Sequence, residues 1–340
     1  MHSLPISQAI GCVLAHDVTR IVPGRSKGPE FRKGHIVREQ DVEMLLDMGK
    51  AHIYVLKLSP DQIHEDIAAR RIAEAAAGPG LKMSSVSEGR INLIAEYPGL
   101  LKVDVPALSG LNAIEDVVFA TVHGNHRVAA GQPVAGTRVI PLVVADRLVA
   151  AAEKVCRSHH PLITVQPFES LNVGIIVTGS EVFHGRIKDQ FGPVVEKKFN
   201  ALGSKITRQI YVSDDIGRTV GAVRSLVNEG VEMVVLTGGM SVDPDDRTAA
   251  GIRSAGAEVV TYGAPTFPGA MFMLAYIGDI PVLGLPGCVM YHRTSIFDLV
   301  VPRLLAGERL RRDDIVALGH GGFCAGCAEC RYPACAFGKV

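Results

Sequence analysis

The sequence predicts an α/β fold for its second half, a mainly parallel sheet with helices on both faces, preceded by smaller α+β and β-rich segments. Two observations carry this. From Asn172 onward, solid apolar runs such as "NVGIIVTG", "VEMVVLTGG" and "DIPVLGLPG" alternate with amphipathic helical stretches. Strands that are apolar throughout are buried on both faces, and the alternation supplies the helices that bury them. Before that point the runs are short and broken by Gly-Asn and Gly-Gln turn signals.

Taken in order, "EQDVEMLLDMG" places Val42, Leu45, Leu46 and Met48 at helical spacing and stops at Gly49, before the strand-like "HIYVLKL". A helix is predicted over "SPDQIHEDIAARRIAEAAAG", with Ser59 as its cap before Pro60. The Gly78–Gly80 break ends a first α+β segment, 1–80. Residues 81–170 read as a small β-rich unit ("INLIAEY", "LLKVDVP", "TRVIPLVV") followed by the helical connector "ADRLVAAAEKVCRS". Residues 171–310 form the α/β domain, with helices from about Asp189 to Leu202, Ile216 to Glu229 and Asp246 to Ser254, and 311–340 form a cysteine-rich tail.

The chain has 340 residues, enough for two or three domains at about 100 to 200 residues each. Lys plus Arg and Asp plus Glu both total 35, tryptophan is absent and aromatics are 5%, so neither a basic excess nor a stacking platform points to nucleic acid. No apolar run approaches the roughly 18 to 20 residues that span a bilayer. The N-terminus "MHSLPISQAIGCVLAHD" lacks a basic n-region, so no signal peptide is read and a cytoplasmic location is expected.

Three predicted strands end in special chemistry: "VTGSE", "LTGGMS" and "GLPGC". Glycine lets backbone N–H groups approach a ligand, and in a parallel sheet ligands bind beyond the carboxyl ends of the strands. Thr178, Gly179, Ser180, Thr237, Gly238, Gly239, Ser241, Pro286 and Gly287 therefore describe a phosphate-sized pocket. Neither GxxxxGK[ST] nor GxGxxG opens a helix here, so no P-loop or dinucleotide site is read. Glu181, Asp189, Asp214, Asp215, Asp243, Asp245 and Asp246 fall in or just after the same loops. Any one of them suits a helix cap; gathered at a pocket they suit Mg²⁺ or a general base.

In this order and spacing, "VTGSEVFHGRIKDQFGP", "SDD", "TGGMSVDPDDRT" and "LPG" resemble the molybdopterin-binding domain shared by the MogA/MoaB proteins, the third domain of MoeA, and CinA. More loosely, "LPISQAIGCVLAHDV", "FRKGHIVREQDVEMLLDMGKAHIYVL" and "GNHRVAAGQPVAG" resemble the N-terminal part of MoeA. The resemblance implies a molybdopterin-binding fold whose pocket takes the pterin dithiolene phosphate, molybdenum cofactor or an adenylylated form, with Mg²⁺ and ATP in the adenylyltransferase branch. It places functional acids at Asp214 and Asp246, and a loop residue at Thr248. Pro244 stands where MoeA has an aspartate, and Cys288 and Val289 stand where its Asn-Pro would follow "LPG", which turns the expectation from molybdate insertion toward binding or nucleotide chemistry.

The tail "GHGGFCAGCAECRYPACAFGK" spaces Cys324, Cys327, Cys330 and Cys335 as C-x2-C-x2-C-x4-C, which suits tetrahedral Zn²⁺ or a [4Fe–4S] cluster. His123 and His126 flank a Gly-Asn turn and read as turn residues. The basic loop "RIVPGRSKGPEFRKGH" is a solvated loop or an arm toward an anionic ligand. The expected function is a molybdopterin or molybdenum cofactor binding protein of late cofactor assembly or delivery, working with molybdoenzymes or other assembly proteins and as a homo-oligomer. A non-catalytic carrier or sensor, or a CinA-like hydrolase of a nucleotide or pyrophosphate bond, are the alternatives.

Overall fold

The computed structural model describes residues 2–22, 26–55, 59–241, 243–244 and 246–339. The chain forms two compact units. Residues 1–97, 103–122 and 130–165 make the first, and residues 98–102, 123–129 and 166–340 make the second.

In the first unit, the N-terminal segment closes a small core of its own. The strand His2–Pro5 pairs antiparallel with His52–Val55, and Val18–Val22 pairs with Ser26–Phe31. Leu14, Val18, Val37, Leu45 and Ile53 are buried together beneath them, with Leu45 supplied by the helix Asp41–Asp47. Residues 56–58 of the "HIYVLKL" run and 23–25 of the basic loop lie outside the described residues. In the same loop, Lys33 is engaged by a residue 33 positions on: its Nζ lies 2.6 Å from Asp66 Oδ2.

The helix expected from Ser59 begins later, at Glu65, and runs to Ala76. Gln62–His64 is instead a short strand paired with Val143–Ala145, and the cap is His64, whose Nδ1 accepts the Asp66 N–H at 3.2 Å. A strand partner about eighty residues away overrides the local helix signal. The strands Leu81–Met83, Ile91–Ala95, Pro133–Val139 and Val117–Thr121 form an antiparallel sheet in that order. The helices Glu65–Ala76 and Asp146–Ser158 are tied by Arg71, which donates to Asp146 and, at 2.8 Å, to Glu153.

The second unit is built on a six-stranded sheet. Its order is Lys205–Val212, Asn172–Thr178, Met233–Thr237, Ile280–Leu285, Met273–Ile277, Glu258–Tyr262. The first four strands are parallel, and the last two are added antiparallel. Both faces are covered, as the apolar runs require. Successive strand residues point to opposite faces, so Ile175, Val177, Val235 and Leu283 bury against Phe199 and Phe297. Ile176, Val234, Leu236 and Val282 bury with Val223, Leu226 and Ile252.

Two further pieces belong to this unit. Residues 99–102 of the strand Gly99–Val103 form a ribbon with His126–Val128, in register His126↔Leu101. The tail folds back, and Ile315, Leu318 and Phe337 join the core that holds Phe297 and Leu299. His126 is buried rather than an exposed turn residue: its Nε2 lies 3.1 Å from the Gly338 carbonyl and its ring 5.6 Å from the Tyr332 ring. His123 remains exposed.

Candidate functional site

The parallel strands 172–178, 233–237 and 280–285 deliver three loops to one end of the sheet, and a cleft of about 460 Å³ opens there. Gly238, Gly239, Ser241 and Asp246 line it from the loop after strand 233–237. Pro286, Gly287 and Cys288 line it from the loop after strand 280–285. The remaining wall is Phe267–Met271.

The glycine pair is there for steric reasons. Gly238 has φ +84, and a Cβ on it would stand 2.2 Å from the Thr178 carbonyl oxygen; Gly239 has φ +55, and its Cβ would stand 2.6 Å from Thr248 Oγ1. Only glycine meets both demands. Among the described residues, the amides of Gly239, Met240 and Ser241 find no backbone acceptor. A run of N–H groups without backbone acceptors among the described residues, on glycine-rich backbone, has the chemistry of an anion cradle.

Most other predicted ligands hold the loops rather than line the cleft. Thr178 Oγ1 donates to the Thr237 carbonyl at 3.1 Å and meets Thr248 Oγ1 at 2.9 Å, while Thr248 Oγ1 donates to the Gly238 carbonyl at 2.9 Å. These two buried hydroxyls lock the loop after strand 172–178 to the glycine pair. Thr237 Oγ1 is buried with no partner among the described residues. Asp189 Oδ1 accepts the Phe191 and Gly192 amides at 2.8 and 3.0 Å, and its Oδ2 accepts Gln209 Nε2 at 2.9 Å. Those amides open the helix Phe191–Asn200, whose N-cap position is Gln190, and Asp189, after burial, raises the Tyr211 hydroxyl pKa.

Asp214 Oδ2 accepts the Ser180 N–H at 2.8 Å. This bond ties the "SDD" loop to the "TGSE" loop, so Asp214 and the Ser180 amide satisfy each other. Gly179, Ser180 and Glu181 flank the cleft without lining it. Asp215 caps the helix Ile216–Asn228 through the Arg218 amide at 2.8 Å. Asp246 differs: it lines the cleft, and it is tied to Asp243, whose N–H its Oδ2 accepts at 3.1 Å and to whose carbonyl its own N–H donates at 2.9 Å. Asp243 is exposed beside it, and Asp245 lies outside the described residues.

The wall Phe267–Met271 and the place of Cys288 in the lining were missed by sequence reasoning. The "PTFPG" wording before the strand Met273–Ile277 was the available signal, since Pro and Gly punctuate loops. Burial pushes the Cys288 thiol pKa up, so it is no ready thiolate. This wall is braced from two sides. Phe267 N–H donates to the Gly322 carbonyl and Cys324 N–H to the Phe267 carbonyl, both at 2.8 Å, and the Ile296 N–H donates to the Pro268 carbonyl at 3.2 Å.

The tail cysteines Cys324, Cys327, Cys330 and Cys335 are not gathered into one ligand set among the described residues. Among the described residues, no three His, Cys, Asp or Glu side chains converge as a ligand set, and all four cysteines are free. Cys324 and Cys335 pack against the core, Cys327 is exposed, and Cys330 Sγ lies 3.2 Å from Thr294 Oγ1. Packing pulls the sulfurs to different neighbours. The Thr294 hydroxyl and the Tyr332 backbone hold the Cys330 thiol below its usual range.

Among the described residues, no helix is long and apolar enough to cross a membrane. Residues 3–57 match the family model "Domain of unknown function (DUF8806)", and residues 174–306 match "Probable molybdopterin binding domain". A CinA-like protein of Mycobacterium sp. (strain JLS) is 35% identical over 92 residues, 27% of this chain and 22% of the relative. The CinA-like protein of Mycobacterium tuberculosis (strain ATCC 25618 / H37Rv) is 30% identical over 92 residues, 27% of this chain and 21% of the relative. The match thus spans about a fifth of those relatives' length. Among solved structures, the molybdopterin biosynthesis enzyme MoaB of Thermus thermophilus aligns at 17% identity over 41% of this chain and 98% of that one, with TM-score 0.34. The tungsten cofactor synthesizing protein MoaB of Pyrococcus furiosus aligns at 19% identity over 42% and 98%, with TM-score 0.34. Residues 174–306 of this chain are thus similar to the probable molybdopterin-binding domain family, the stretch its model matches.

Proposed function

We propose that the strand-end cleft holds the phosphate of molybdopterin or molybdenum cofactor, and that the chain works in late assembly or delivery of that cofactor. The observation that carries this reading is the glycine pair Gly238-Gly239, whose backbone leaves the amides of Gly239 to Ser241 without backbone acceptors among the described residues. A phosphate fits such a cradle without a lysine, because the peptide dipoles converge on it. A cleft of about 460 Å³ is the size of a small-molecule site.

Within this reading the two acids divide their roles. Asp214 positions the "TGSE" loop through Ser180, and Asp246 is the one described carboxylate lining the cleft. A Mg²⁺ ion carried by a nucleotide would find its hard oxygen ligand in Asp246. Binding is the core of the proposal; adenylylation of the pterin or molybdate insertion would be built on it. A second reading, attack on a nucleotide or pyrophosphate bond, is favoured by the "PDDRT" wording and by Pro244 in place of an aspartate.

The purified chain, incubated with molybdopterin, Mg-ATP and molybdate, tests these readings together. Retention of the pterin at micromolar concentration is expected, and the products report adenylylation or insertion if either follows. Absence of pterin binding removes the proposal, and cleavage of ATP without it selects the second reading.

A further inference from the structure

The second unit carries another cleft, of about 510 Å³, which shares no lining residue with the strand-end cleft. Arg127, Lys197, Lys198, His292 and Arg293 line it, against a single carboxylate, Asp298. That carboxylate is already committed. Its Oδ2 accepts Lys198 Nζ and the Ser295 N–H, both at 2.9 Å, and its Oδ1 accepts Lys198 Nζ at 3.2 Å. Arg127, Lys197 and Arg293 are left with no carboxylate within ion-pair distance among the described residues.

The cationic lining is partly preorganised. The Arg127 guanidinium lies 5.9 Å over the Tyr332 ring, and the Tyr332 hydroxyl donates to the Asp298 carbonyl at 2.9 Å. Lys198 is fixed by Asp298 and by the Arg293 carbonyl, to which it donates at 3.0 Å. In a chain whose formal net charge is zero, this is a local concentration of positive charge. Cations brought together without counter-charge repel one another, and an anion between them relieves that cost. Tyr291, 79% exposed, lines the same cleft and offers a ring face.

We propose that this cleft is a second binding site, for a small phosphate-bearing anion. Arg127, Lys197 and Arg293 hold the phosphoryl oxygens, and Tyr291 covers a planar group such as a nucleobase. The guanidinium forks of Arg127 and Arg293 suit phosphate bidentately, and the volume lies within the roughly 300–1,000 Å³ of small-molecule sites. This inference does not depend on the pterin reading, because neither cleft borrows a residue from the other.

Pyridoxal 5′-phosphate followed by borohydride is the probe. A lysine amine beside the bound phosphate condenses with the aldehyde, water leaves, and hydride reduces the imine to a stable secondary amine. Peptide mapping of the full chain should find Lys197 labelled about tenfold faster than the other exposed lysines, a preference set by local anion concentration. Pyrophosphate and ADP should each protect Lys197, ADP more strongly. The substitutions Arg127→Gln and Arg293→Gln together should abolish both the preference and the protection without changing the thermal melt. Ordinary labelling of Lys197, or protection by neither phosphate, overturns the proposal. Protection by poly-glutamate but not pyrophosphate overturns it in favour of an acidic protein partner. Equal protection by ADP and pyrophosphate removes the role given to Tyr291.

Discussion

Asp214 and Asp246 are both acids at strand-end loops, and what separates them is what their oxygens already hold. Asp214 accepts the Ser180 amide, so Asp214→Ala should cost about 1–2 kcal/mol of stability in denaturant melts and leave pterin binding within a few-fold. Asp246 lines the cleft, so Asp246→Asn should abolish any turnover while pterin loading stays near that of the unchanged chain. Comparable loss of loading in both variants would merge the two roles. The sequence made the acids and glycines visible as residue types at loop positions. It did not reveal which were spoken for, because Thr178 meets Thr237 and Thr248 across 59 and 70 residues, and Asp214 meets Ser180 across 34. Such long-range partners leave no periodic mark.

At the scale of elements, the apolar runs after Asn172 were legible as buried strands because their residues face two cores at once. The start of the helix Glu65–Ala76 was not, since the segment Gln62–His64 is claimed by Val143–Ala145. The wall Phe267–Met271 was overlooked for a similar reason: its place at the cleft depends on Gly322, Cys324 and Ile296, all distant in sequence. The glycine loop gives the sharpest prediction at this scale. Gly239→Ala adds a Cβ 2.6 Å from Thr248 Oγ1 at φ +55, so it should cost about 1–2 kcal/mol from backbone strain alone and displace the loop that lines the cleft. Thermal melts and ligand binding should therefore fall together. A variant as stable as the parent, with binding intact, would show that the loop does not need its left-handed turn.

Across the second unit, the tail and the ribbon are joined by one buried histidine. Burial lowers the His126 pKa from the ordinary 6.5 to about 4, although its hydrogen bond to the Gly338 carbonyl pulls the other way. The folded ring stays neutral down to about 4, whereas the unfolded chain takes a proton below 6.5. The unfolded state thus binds the proton first, and stability should fall as the pH drops from 6.5 to about 4, by about 3 kcal/mol in full. Replacing His126 with Gln should flatten that part of the profile measured by urea melts. An unchanged acid limb would place the loss elsewhere.

The tail also bears on the reading of the whole chain. Its cysteine spacing suggested a metal, whereas among the described residues Cys324 and Cys335 pack against the core and Cys330 meets Thr294. Metal analysis of anaerobically purified chain should accordingly find neither zinc nor iron at stoichiometric level, with four titratable tail thiols. One zinc or one cluster per chain would show that the tail leaves these positions to close around metal. The strand-end cleft is tested by equilibrium binding of molybdopterin to the full chain beside its Gly239→Ala variant. The parent should bind with micromolar affinity, weakened about tenfold or more in the variant as the loop is displaced. Absence of binding by the parent, or equal binding by both, would contradict the role proposed for the cleft.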